Sequence, residues 1–107
     1  MSRTLSLLLP VHNAQAQLEQ TVLALLDVIP ELTPNFEVLI IDDGSSDDTS
    51  DTAQQLVARF PQIQLIRNSH RLGMAGAVGS GVAAARGEVI LLREDGTKLE
   101  LAHLGRL

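Results

Sequence analysis

The chain contains no cysteine. Disulfide frameworks, thiolate metal sites and thiol nucleophiles are therefore excluded, although the compartment is not fixed by that absence. Aromatic residues are almost missing: Phe36 and Phe60 are the only two, with no tryptophan or tyrosine. A stacking platform for bases or sugars is scarcely available from such a composition. Cations are also few, with 8 Lys+Arg against 13 Asp+Glu and a net charge of −5. That balance excludes the basic footprint of a nucleic-acid surface. No apolar run approaches the roughly 20 residues of a membrane span. Met1-Ser2-Arg3 is followed by too short an apolar stretch for a secretory signal, so a cytoplasmic location is expected.

What remains is an ordinary globular composition, 45% hydrophobic and 20% charged over 107 residues. It is enough for one core, and residues 1–107 are read as a single domain. The most informative stretch is Glu37–Thr49, EVLIIDDGSSDDT. Val38, Leu39, Ile40 and Ile41 make a short apolar run rich in β-branched side chains, as in a strand buried on both faces of a parallel sheet. Two carboxylates, Asp42 and Asp43, end the run. Gly44-Ser45-Ser46 forms a turn, and Asp47-Asp48-Thr49 opens an amphipathic helix in the manner of helix caps. A buried strand thus delivers carboxylates and hydroxyls to its carboxyl end, the edge where open α/β sheets bind ligands.

Thr4–Leu9 reads as a first buried strand, ended by Pro10, which has no N–H for a ladder. Pro10–Asn13 is then a loop. Leu18, Val22, Leu25, Leu26 and Ile29 follow a helical period, and Pro30 is expected to close that helix. A second helix runs from about Asp48 to Phe60 and a short strand from Ile63 to Ile66. Arg67–Leu72 is a polar loop. Gly73–Ala85 is read as a helix with Met74, Val78, Val82 and Ala85 inward, despite Gly73, Gly76, Gly79 and Gly81. Each interior glycine costs about 1 kcal/mol relative to alanine, so packing must hold this helix. Glu88–Leu92 is a fourth strand, Arg93–Lys98 a loop, and Leu99–Leu107 the expected start of another helix. The pattern is an α/β fold with a Rossmann-like parallel sheet of about four strands in the order 3-2-1-4. Right-handed crossovers place helices on both faces.

Common nucleotide motifs do not fit. The first strand–helix turn has no glycine, as a dinucleotide fingerprint requires, and Gly73–Gly81 lacks both that spacing and the lysine of a P-loop. Asp42-Asp43 lacks the phospho-accepting Asp of a receiver domain at the end of a later strand. Arg93 stands where a haloacid-dehalogenase phosphatase would have its nucleophilic Asp.

Leu7–Asn13 (LLLPVHN), Val38–Thr49 (VLIIDDGSSDDT), Arg67-Asn68 with Gly73, and Ala85–Leu92 (ARGEVILL) together resemble family 2 glycosyltransferases, specifically the nucleotide-binding half of their GT-A fold. The similarity is greatest to the polyprenyl-phosphate sugar transferases. The resemblance implies a nucleoside-diphosphate sugar as donor, most often UDP-linked. It places Pro10, Val11 and His12 along the base and ribose and Asp43 on the uracil imide. It leaves Asp42 to orient the turn. A carboxylate suits the imide because it accepts from the N3–H. By the same resemblance Asp95 faces the ribose. Asp47 fits a helix-start acceptor and Asn13 a partner within its own loop.

The departures are equally specific. The basic residues usual in the glycine-rich segment fall on Met74 and Gly79, leaving Arg67, His70 and Arg71 as replacements. The Asp-x-Asp that ends the family's fourth strand and binds Mg²⁺ or Mn²⁺ falls on Glu94-Asp95-Gly96, so its last carboxylate is lost. Glu94 and Asp95 are weak metal candidates, and no bound metal is expected. No catalytic residue is assignable, because the acceptor half that supplies the general base is absent. The expectation is the donor-binding half of an inverting transferase, inactive by itself. The alternative is a degenerate nucleotide-binding or assembly module. Apolar surface at strand 4 and Leu99–Leu107 points to a homo-oligomer.

Overall fold

Two apolar runs become neighbouring central strands. In the computed structural model, which describes residues 4–93 and 99–102, β1 (Leu5–Val11) pairs in parallel with β2 (Phe36–Asp43), from Leu5↔Phe36 to Val11↔Asp42. β3 (Ile63–Asn68) flanks β2, and β4 (Val89–Arg93) flanks β1, both in parallel. The four parallel strands therefore have the expected order 3-2-1-4. A fifth strand, β5 (Leu99–Ala102), adds antiparallel to β4, from Ile90↔Ala102 to Arg93↔Leu99. This corrects the expected helix over the start of Leu99–Leu107. The alternating Leu99, Leu101 pattern serves a strand once β4 offers an edge to pair with. Residues 103–107 lie outside the described residues.

Alternation of side chains divides the core in two. Leu5, Leu7, Leu9, Val11, Val38 and Ile40 face α1 (Leu18–Leu32) and α2 (Thr49–Arg59), with Val22, Leu25, Ile29 and Leu56. Leu8, Leu39, Ile41 and Ile90 face the other side, under α3 (Gly73–Ala84). Burying each such side chain contributes about 1.5–3 kcal/mol, which is how a helix with four glycines is held. The inward face of α3 differs from expectation. Ala77 and Gly81 are buried, Val78, Val82 and Ala85 pack at the margin, and Met74 is 46% exposed. Size explains it: a Cβ on Gly81 would sit 2.9 Å from Ile41 Cδ1 and 3.0 Å from Leu8 Cδ2. The helix backbone lies so close to the sheet that only the smallest residues fit beneath it.

Two prolines behave differently from the sequence expectation. Pro10 lies within β1 rather than ending it. Leu5 donates toward β2 through its N–H to Asn35, while the Thr4 carbonyl accepts from Glu88 and Val89 on the β4 side. By alternation the missing N–H of Pro10 falls on the β4 side, beyond the Leu8↔Leu92 pair where that ladder ends. Pro30 lies inside α1, which continues to Leu32. The helix stops at Thr33, which is extended and precedes Pro34, as residues before proline tend to be. α2 ends in the same way, at extended Phe60 before Pro61. β3 also runs two residues past Ile66, so Arg67 and Asn68 are strand residues, not loop.

Candidate functional site

The loops that follow β1 and β2 are fastened to each other. Asn13 adopts a positive φ of 52°, which asparagine tolerates. Its Oδ1 accepts the amides of Ser46 at 2.8 Å and Asp47 at 3.4 Å, and its own amide donates to Ser45 Oγ at 2.9 Å. Asn13 therefore serves the neighbouring loop rather than its own, a correction that only the sheet register explains. Ala14 donates to Thr49 Oγ1 at 2.8 Å, and Asp48 donates to Gln15 Oε1 at 3.2 Å. Asp47 acts as the expected helix-start acceptor, taking the Thr49 amide at 2.9 Å and the Thr49 hydroxyl. The Thr49 hydroxyl foremost, then the amides of Thr49, Gln15 and Asp47 itself, hold the Asp47 carboxyl below its ordinary range against a smaller desolvation effect.

The two adjacent carboxylates point to opposite faces because strand side chains alternate. Asp42 follows Val38 and Ile40 toward α1 and α2, is fully buried, and accepts the Ser45 amide on Oδ1 at 3.1 Å. Its turn-orienting role matches the expectation, while its Oδ2 has no hydrogen-bond partner among the described residues. Asp43 follows Leu39 and Ile41 toward α3. Its Oδ1 accepts from Asn68 Nδ2 and the Leu72 amide, and its Oδ2 from the Gly73 amide, each at 2.9 Å. Asp43 is thus the anion at the start of α3, where the first amides of a helix have no partner of their own.

Burial by itself would raise the Asp43 carboxyl. The Leu72 amide, the Asn68 side chain, the Gly73 amide and the charge of Arg71 together outweigh burial and hold it below the ordinary carboxylate range. A carboxylate offers about four lone-pair sites. Among the described residues three donors reach Asp43, which leaves one site, on Oδ2. Gly44 makes this packing possible: its φ is 69°, and a Cβ there would lie 2.5 Å from the Arg71 amide nitrogen. The β2–α2 turn therefore rests directly on the backbone of His70 and Arg71.

Beside Asp43 is a cleft of about 210 Å³ lined by Pro10, Val11, His12, Asp43, Arg71, Met74 and Ala77. It lies at the carboxyl edge of the parallel strands, next to the point where β1 separates β2 from β4. Of the expected site residues, Pro10, Val11, His12 and Asp43 are brought together here, and Asp42 is turned away to the opposite face. Asp95 and the metal candidate Glu94 lie outside the described residues. Of the three possible basic replacements Arg71 lines the cleft, and Arg67 and His70 do not. His12 Nδ1 is 2.9 Å from the Asp43 carbonyl, which can only accept, so Nδ1 carries the proton and Nε2 of the neutral ring is left as an acceptor. Sequence reasoning assigned no role to Asn68 or Ser80. Their hydrogen bonds join β3 and α3 to Asp43; Asn68 stands in the Arg67-Asn68 element quoted for the resemblance, but nothing local pairs it with Ser80.

A larger cavity, about 340 Å³, lies at the opposite edge, lined by residues that include Glu37, Arg86 and Gly87. Its polar groups are engaged structurally: Ser6 Oγ donates to Glu37 Oε2 at 2.6 Å and accepts the Gly87 amide at 2.8 Å. Arg93, the last residue of β4, does not line the Asp43 cleft. It borders a small cavity with Leu18 and Thr21 of α1, and its buried Nε has no partner among the described residues. Among those residues no group of three or more His, Asp or Glu side chains could hold a metal ion. The Asp43 cleft does not fit one either, because its one carboxylate is mostly occupied by N–H donors and stands beside a guanidinium.

Comparison with known proteins agrees with this architecture. The family model "Glycosyl transferase family 2" matches residues 6–94. Glycosyltransferase AglD of Haloferax volcanii is 30% identical over 104 residues, which are 95% of this chain and 17% of AglD. Dolichol-phosphate mannosyltransferase of Pyrococcus furiosus is 29% identical over 89 residues, 83% of this chain and 24% of that protein. The mannosyltransferase PcManGT from Pyrobaculum calidifontis, solved in complex with GDP-Man and Mn²⁺, superposes with a TM-score of 0.73 at 22% identity, covering 88% of this chain and 28% of PcManGT. TarS (1–349) of S. aureus superposes with a TM-score of 0.67 at 20% identity, covering 85% of this chain and 27% of that one. These likenesses in structure show a shared GT-A fold. The chain spans about a quarter or less of the curated relatives named here. With a family model matching most of its length, this chain belongs to glycosyl transferase family 2.

Proposed function

We propose that the chain is the donor-binding half of an inverting glycosyltransferase, that the Asp43 cleft receives the base and ribose of a nucleoside-diphosphate sugar, and that the base is uracil. The observation that carries this reading is the one lone pair on Asp43 Oδ2 that no donor among the described residues occupies. Uracil presents one donor, N3–H, whereas guanine presents two adjacent donors on the corresponding edge. Adenine has no ring N–H there. The cleft volume of about 210 Å³ is below the roughly 300–1,000 Å³ of sites that enclose drug-sized ligands, which suits part of a nucleotide rather than a whole nucleotide sugar. Pro10, Val11, Met74 and Ala77 supply apolar walls, His12 Nε2 an acceptor, and Arg71 the cation that Met74 and Gly79 do not.

The bound GDP-Man of PcManGT supports a nucleotide sugar as the ligand class. UDP is argued from the Asp43 lone pair alone. Calorimetric titration with UDP, GDP and ADP tests the choice: UDP binds best, and equal affinities overturn it. The reading assigns no residue the deprotonation of an acceptor and includes no sugar transfer by this chain alone.

Self-association belongs to the same reading. Among the described residues β5 is an edge strand with β4 as its one partner in the sheet. An open edge offers its free N–H and C=O groups for pairing. Light scattering at high concentration gives a dimer or larger species, and a monomer would remove this element.

A further inference from the structure

The Asp43 carboxylate is held from the β3 side by a relay. Ser80 Oγ, on α3, donates to Asn68 Oδ1 at 3.0 Å, and Asn68 Nδ2 donates to Asp43 Oδ1 at 2.9 Å. Ser80 Oγ also lies 3.1 Å from the Gly76 carbonyl one turn earlier. The Asp43 carboxylate, which can only accept, settles which end of the Asn68 amide faces it: the NH₂ group turns to Asp43, and Oδ1 is left to take the Ser80 hydroxyl. The Leu72 and Gly73 amides contact one oxygen each. Asn68 adds the side-chain contact that resists rotation of the carboxylate about its own axis.

We infer that Asn68 is a positioning residue for nucleotide recognition: held by Ser80, it fixes the rotation of the Asp43 carboxylate so that one lone pair of Oδ2 stays available to a base N–H donor. The inference rests on the reading that Asp43 contacts the base. It goes further by giving Asn68 and Ser80, neither of which lines the cleft, a part in ligand affinity. Among the described residues, the charged and titratable groups that face Asp43 are Arg71, from the β3–α3 connection, and His12, from the end of β1. Asp42 points to the other face of the sheet.

The test is UDP binding by the full chain carrying Asn68→Asp, which preserves shape but replaces the N–H donor by a carboxyl. Toward the acid end of the range in which the variant stays folded, two adjoining carboxyls share one proton. The introduced group then donates as the amide did, and the variant binds UDP within about threefold of wild type, the span of a weak hydrogen-bond change. Near pH 8 both groups ionise and repel, and the variant falls at least about tenfold below wild type, as for a lost charge-assisted bond. The ratio of variant to wild type at each pH cancels contributions common to both chains. Ser80→Ala, which frees the amide to turn, weakens UDP less than Asn68→Asp does near pH 8. Circular dichroism at each pH establishes that the variants remain folded. A ratio independent of pH overturns the inference, whatever its size. If wild type fails to bind UDP, or Asp43→Asn binds it unchanged, the reading of Asp43 fails first and the inference with it.

Discussion

The imidazole of His12, at the end of the first strand, donates through Nδ1 to the backbone carbonyl of Asp43 at the end of the second, at 2.9 Å. This bond crosses the two strands whose loops build the cleft, and it fixes the tautomer that leaves Nε2 as an acceptor. His12→Ala removes it at a cost of about 0.5–1.5 kcal/mol, read from urea unfolding. His12→Asn, whose shorter amide has a donor, recovers part of that loss if the bond is the cause. Equal stability of wild type and His12→Ala would contradict the role given to Nδ1.

Acid stability follows from Asp43. Its folded carboxyl is held below the unfolded value, so its contribution is fully present above the unfolded pKa of about 3.9. That contribution is lost as pH falls from there through the lower folded value. Asp47 is shifted in the same direction and adds to the same acid limb. Asp43→Asn is accordingly less stable than wild type near neutrality, and the gap between them narrows as pH falls below about 4. Thermal unfolding across that range measures the gap, and a constant difference would contradict the assignment.

The fastening of the first two loops depends on a buried hydroxyl. Thr49 is fully buried, and its Oγ1 accepts the Ala14 amide at 2.8 Å while donating to Asp47. Thr49→Val keeps the shape and strands the Ala14 amide, at a cost of about 1–3 kcal/mol. Thr49→Ser, which retains the hydroxyl, costs less. The order of the two variants in denaturant midpoint is the check.

Two glycines of α3 separate packing from propensity. Gly81→Ala drives a methyl against Ile41 and Leu8 and destabilises, whereas a Cβ at Gly79 meets nothing within 4 Å. Gly79→Ala therefore stabilises, by up to about 1 kcal/mol from helix propensity. Reversal of these signs would mean that α3 does not lie against the sheet as described.

Much of this fold is readable from residue patterns because buried strands and amphipathic helices are local signals. Val38–Ile41 marks β2, and Leu18, Val22, Leu25 and Ile29 mark α1. The misses have a common physical origin in partners distant along the chain. Whether Pro10 ends a strand depends on which neighbour its missing N–H would face. Whether Leu99–Ala102 is helix or strand depends on the free edge of β4. Met74 looks inward by period, but the sheet presses so closely on α3 that Ala77 and Gly81 take the buried positions. At the site, the acidic pair is conspicuous in sequence, but its division of labour comes from strand alternation. Asp42 turns to α1 and α2, and Asp43 turns to α3. The Asn13 clamp and the Ser80–Asn68 relay join residues of different elements, so nothing nearby in sequence signals them.

No divalent cation is expected in the Asp43 cleft, because Glu94-Asp95-Gly96 lacks the last carboxylate of the Asp-x-Asp pattern. A divalent cation needs several hard oxygen ligands, and Asp43 has most of its lone pairs committed to N–H donors. Mn²⁺ titration followed by paramagnetic broadening gives no saturable site in the Asp43 cleft. Tight binding abolished by Asp95→Ala would assign that carboxylate the metal after all.

The central claim is that the Asp43 cleft, and not the larger cavity at the opposite sheet edge, receives a uridine nucleotide. Amide chemical-shift mapping of the chain during a UDP titration tests it most directly. The account predicts saturable shifts at Val11, His12, Asp43, Arg71, Met74 and Ala77 that disappear in Asp43→Asn. Shifts centred instead on Glu37, Arg86 and Gly87, or no saturable shift at all, would contradict it.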